Sequence, residues 1–152
     1  MNRTIDIVLY EEHLNVNYYT LCFLDEEDTE FDKFLDQFPE GCKYDRDIQI
    51  ILRWIDKIGE KGAIERHFRV REGKFSDNVC AIPIELENCE IRLYVLRISD
   101  NIVILGNGGL KTTDTYNENP QLSSCVELLQ KVDGYLKSRI RKKQVKINYN
   151  KL

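Results

Sequence analysis

Residues 90–116 read EIRLYVLRISDNIVILGNGGLKTTDTY. Two runs rich in β-branched and apolar residues, 91–98 and 102–105, flank Asp100-Asn101. Both turn residues tolerate positive φ, so the pair predicts a tight hairpin between two strands. Just upstream, VCAIPIEL (79–86) is a third strand-like run, with Pro83 placing it at an edge or bulge. The expectation is a three-stranded antiparallel meander.

The glycines at 106, 108 and 109 raise the question of a phosphate cradle. A P-loop needs a glycine where Ile104 stands and no residue between Gly109 and Lys111, yet Leu110 intervenes. A dinucleotide fingerprint needs its third glycine where Lys111 stands. Both motifs also require a helix at once, whereas the turn-rich TTDTYNENP follows. The patch is therefore expected to bulge the chain and steer it off the sheet edge.

Upstream, residues 4–10 and 16–24 predict two strands, a candidate hairpin. Phe31, Phe34, Leu35 and Phe38 recur with helical spacing, with Thr29 and Asp32 as a capping box and Pro39 and Gly41 as the stop. A second helix is expected from Asp45, its apolar face formed by Ile48, Ile51, Leu52, Ile55 and Ile58, with Gly59 and Gly62 ending it. The short link between them predicts an αα-hairpin. Residues 64–71, IERHFRVR, alternate and predict a strand. Downstream, Asn119-Pro120 is a cap followed by a first-turn proline, opening an amphipathic helix through Leu136. The basic tail carries Val145, Ile147 and Tyr149 in alternation, a candidate last strand. The fold class is α+β in a single domain covering residues 1–152.

The 152 residues are enough to bury a core without metal or disulfide staples. No apolar run approaches the roughly 18–20 residues of a membrane span. The opening MNRTIDIVLYEEHL places two glutamates too early for a signal peptide, so a cytoplasmic location is expected. The five cysteines are scattered and the two histidines are far apart in sequence, so no metal site, cofactor or disulfide framework is expected. Charge is uneven: residues 1–60 hold 15 acids against 6 bases, and residues 61–152 hold 16 bases against 11 acids. An anionic partner for the second half, nucleic acid first, follows from that split, as does a merely dipolar surface.

Arg92 lies in phase with Tyr94, Leu96 and Ile98, and Lys111 and Tyr116 follow the pairing strand. Arginine and lysine bind an RNA phosphate and offset charge that develops during strand cleavage. Tyrosine stacks on a base or exchanges a proton with the 2′-hydroxyl or the leaving oxygen. The plainer alternatives are a salt bridge from Arg92 to the acidic helices and a turn position for Tyr116. Arg66, His67, Arg69 and Arg71, with Arg97, are candidate RNA anchors, and the basic run 139–146 reads as a solvated end or contact strip.

The segment 90–116, with its arginine-bearing strand, tight turn, apolar strand, then a base and an aromatic, resembles the RelE/ParE superfamily of type II toxin–antitoxin toxins. The order of elements points to its HigB or phage Gp49-like branch, over residues 16–137, with 1–15 and 139–152 as additions. The resemblance implies a metal-independent endoribonuclease cleaving mRNA on the ribosome, held inactive by a cognate antitoxin, a small helix-turn-helix protein. It places Arg92, Lys111 and Tyr116 as catalytic. Strand 79–86 lacks the bases that RelE-type enzymes carry there. That motivates an alternative on the same fold: a ParE-like gyrase inhibitor, or an inactive antitoxin-binding relative. A third option is an unrelated α+β protein using its basic face for a host or phage partner.

Overall fold

A computed structural model describes residues 3–68, 78–83, 88–111 and 119–142. It shows a mixed α+β protein built on one five-stranded sheet. Strands β1 (Ile5–Glu12) and β2 (Asn17–Phe23) form an antiparallel hairpin. Helices α1 (Glu30–Asp36) and α2 (Asp45–Lys61) follow, then β3 (Val79–Ile82), β4 (Ile91–Ser99), β5 (Ile102–Leu110) and α3 (Pro120–Lys142). Among the described residues no helix is long and apolar enough to cross a membrane.

The sheet order is β1-β2-β5-β4-β3. Strands β3, β4 and β5 pair antiparallel in sequence, but the sheet does not stop there. Strand β2 lies parallel to β5, Asn17 to Thr20 against Ile102 to Leu105, and carries β1 with it. The three-stranded expectation is therefore corrected to a five-stranded mixed sheet with β5 in its interior. The reason is in β2: Tyr18, Tyr19 and Leu21 are buried on alternating faces, so this strand needs cover on both sides.

Each face has its own core. On one, Tyr18, Val103, Leu105, Leu93 and Val95 meet Phe31, Phe34, Ile51, Ile55 and Ile58 of α1 and α2. On the other, Tyr19, Leu21, Tyr94, Leu96 and Ile104 meet Leu122, Val126, Leu129, Val132 and Leu136 of α3. The two early helices share a face and pack mainly on strands, α1 on β5 and β2 and α2 on β4. The hydroxyl of buried Thr20 ties the layers, donating to the Leu105 carbonyl at 2.7 Å and accepting from the Phe31 N–H at 3.3 Å.

Local signals hold in part. Thr29 and Asp32 form the capping box, and the Asn119 side chain accepts from the Gln121 and Leu122 N–H groups. The turn at Asp100–Asn101 is present, and Pro83 follows edge strand β3. Asp45, read as the cap of α2, is instead its first residue, after an N-cap at Tyr44. Gly59 lies inside α2, and only Gly62, at φ +103°, ends it. Of the strand expected over 64–71, Glu65–His67 form a single 3-10 turn instead, and 69–71 lie outside the described residues. There the Ala63 N–H donates to the Asp100 carbonyl and Arg97 Nε donates to the Ala63 carbonyl, so the chain is captured by the β4–β5 turn instead of extending. Residues 137–142 of the basic run continue α3, and the candidate strand at 145–149 lies outside the described residues.

Candidate nucleic-acid interface

The glycine patch is a place of close approach. The β4–β5 register shifts by one residue between the pairs Leu93↔Gly108 and Val95↔Leu105, so β5 bulges at Gly106 and Asn107. A Cβ on Gly108 would overlap the Arg92 carbonyl and come within 3.1 Å of the Leu93 Cα. On Gly106 it would press on the Tyr94 carbonyl at 3.0 Å and on Leu129 at 3.1 Å.

Past the bulge β2 no longer accompanies β5, and its main chain needs other partners. Side-chain amides supply them: Gln37 and Gln121 each donate to the Gly108 carbonyl at 3.0 Å, and Gln121 also donates to Gln37 Oε1 at 2.8 Å. Gln37 reaches Asn107 Oδ1 at 3.0 Å, and the same oxygen accepts from the Gly108 N–H. This amide clasp joins the ends of α1 and α3 across β5. The sequence reading missed it, because its members come from three separate segments with no shared motif.

The expected site residues fall into two groups. Arg92 pairs with Gly109, and the Lys111 N–H donates to the Glu90 carbonyl at 2.8 Å. Arg92 and Lys111 therefore share a sheet face as diagonal neighbours, a Cα spacing of about 7–8 Å. Both side chains are half-buried. Arg92 Nη1 donates to the carbonyls of Cys89 at 2.7 Å and Ile91 at 3.0 Å, neutral acceptors that orient the guanidinium. The Lys111 ammonium has no ion pair among the described residues.

The second group sits at the other end of β4. Arg97 shares the opposite face with Val103, five residues or about 16 Å from Arg92 along the strand. Its guanidinium is engaged with the Ala63 carbonyl and the Asp100 carboxylate. Arg66 is exposed, and His67 is half-buried, with Nδ1 3.2 Å from the Gly62 carbonyl and its ring 6.3 Å from that of Trp54. Arg69, Arg71 and Tyr116 lie outside the described residues.

A shallow cleft of about 200 Å³ opens beside this second group, lined by Ile50, Arg53, Trp54 and Lys57. The Lys57 ammonium lies 4.5 Å from the Trp54 ring centre. Helical spacing of Arg53, Trp54 and Lys57 was the available signal for it. Comparison with protein-family models, curated proteins and solved structures returned no match.

Proposed function

We propose that the chain is the toxin of a type II toxin–antitoxin pair, a RelE/ParE-like endoribonuclease acting without a metal on ribosome-bound mRNA. The observation that supports this reading is the convergence of Arg92 and Lys111 on one face at one end of β4 and β5. Two cations about 7–8 Å apart at Cα straddle one phosphate group, and Lys111 is the more available of them. In the proposed step the 2′-hydroxyl attacks the adjacent phosphorus and the bond to the 5′-oxygen breaks. Arg92 and Lys111 offset the charge on the phosphoryl oxygens, and Tyr116 exchanges the proton at the 2′-hydroxyl or the leaving oxygen. The partner that silences it is a small helix-turn-helix antitoxin.

Induction in cells, with transcript 5′ ends mapped, tests the reading. Growth arrest and new mRNA ends are expected, and Lys111→Ala should lower cleavage by about 10²-fold. Intact transcripts, or a Lys111→Ala variant as active as the parent, would sink it. Lys111 is the better probe, since Arg92 also supports main-chain carbonyls.

A second reading rests on that same use of Arg92 and on the absence of any base in β3, VCAI. On it, the chain binds without cutting, as a gyrase inhibitor or an antitoxin-binding relative. DNA damage with intact mRNA selects the first of these. Antitoxin binding with neither effect selects the second.

A further inference from the structure

The turn between β1 and β2 brings three metal-ligating side chains together at the end of the molecule opposite Arg92 and Lys111. Glu11 is the last residue but one of β1, His13 sits in the turn, and Asp56 projects from α2. One donor atom from each lies within 4.8 Å of the other two. His13 Nε2 already contacts Glu11 Oε1.

The histidine is held in place. Its ring lies against Gly59, where any Cβ would overlap it, and edge-on to the Tyr18 ring at 5.2 Å and 85°. The turn beneath it is fixed to the end of α2, the Asn15 N–H donating to the Gly59 carbonyl at 2.8 Å. The Tyr18 hydroxyl is committed to the Ile55 carbonyl at 2.8 Å.

Two carboxylates face one imidazole, and Asp56 has no lysine or arginine ion-pair partner among the described residues. A divalent cation with neutral imidazole answers both carboxylates. Tetrahedral Zn²⁺ at ligand distances of about 2.0–2.1 Å sets donors about 3.3 Å apart, so Glu11 would draw back from the ring and the donors within 4.8 Å adjust by rotamer change of the two exposed carboxylates. An imidazole and two carboxylates suit Zn²⁺ and Co²⁺ over Ca²⁺ or Mg²⁺, which take oxygen sets.

We propose that Glu11, His13 and Asp56 form a Zn²⁺-class cation site that staples the β1–β2 turn to α2. The site is structural and separate from the proposed RNA face, so chelation should leave RNA cleavage unchanged. The test is calorimetric titration of the full chain with ZnCl₂ after chelator treatment, alongside melting curves. One Zn²⁺ per chain is expected, with a rise in Tm on binding. Glu11→Gln and Asp56→Asn, which keep size and remove charge, should each weaken binding at least about tenfold and shrink the rise at a fixed Zn²⁺ concentration. Glu40→Gln, at an exposed acid elsewhere, should behave as the parent. Co²⁺ should give visible absorption bands that both site variants lose. No saturable binding overturns the proposal, as does binding that survives both substitutions in variants with native circular dichroism. Loss of RNA cleavage on chelation would overturn the separation of the two sites.

Discussion

At the scale of single residues, the glycines carry the most definite information. The glycine patch was legible as a bulge former, because three glycines in four positions cannot continue a regular strand without consequence, and Gly108 is the first paired residue past the bulge. Its partner was not legible: what forbids a side chain there is the Arg92 main chain, set by a register that sequence does not print. Gly108→Ala should therefore cost more than about 3 kcal/mol, since backbone cannot yield as a flexible side chain can. Urea unfolding checks this, and a loss under about 1 kcal/mol would contradict the register. Gly59 teaches the complementary lesson. A glycine near a helix end reads as a stop, yet here it makes room for His13, which arrives from a different element. Cys125 shows burial acting on chemistry, its thiol pushed up to about 11 by desolvation with Glu30 adding to the effect.

At the scale of elements, signals carried within a few residues were readable and those imposed from a distance were not. The Thr29–Asp32 box and the Asn119-Pro120 start are local, and both helices begin there. The alternation over 64–71 is also local, but Asp100 and Arg97 capture Ala63 just before it, and Glu65–His67 turns. The entry into β1 is held by an ion network that gives a pH prediction. Arg3 bonds Asp25 at 2.8 Å and Glu26 at 3.1 Å, and Lys33 pairs with Glu26 and Glu30. The Arg3 guanidinium holds Asp25 below its ordinary range, and Lys33 with Arg3 does the same for Glu26. Carboxylates lowered in the folded state stabilise it above their unfolded pKa, and that contribution fades as pH falls through the lowered values. The urea midpoint of Arg3→Met should thus lie below the parent's at pH 7, with the gap narrowing as pH drops from about 5 to about 2. A residual gap should persist, because Arg3 also lies 3.9 Å above the Phe23 ring. A gap that widens in acid would contradict the network.

At the scale of the whole molecule, the α+β class and the order of elements were readable from periodicity, while the extent of the sheet was not. Nothing in residues 16–24 announces that this strand lies parallel to β5, because parallel pairing is decided by what covers both faces. That pairing puts β5 in the interior and leaves its far end to the amide clasp, next to Arg92 and Lys111. It also divides the basic candidates, with Arg66, His67 and Arg97 at one end and Arg92 and Lys111 at the other. The uneven charge of the chain was visible from composition, but the division of the bases between the two ends of β4 was not. The most direct measurement is an NMR titration of the ¹⁵N-labelled chain with a short single-stranded RNA at low salt. Amide shifts are expected to concentrate at Glu90, Arg92, Gly109 and Lys111 and to weaken as salt rises. Shifts confined to Arg66, His67 and Arg97, or none at any RNA concentration, would contradict this expectation.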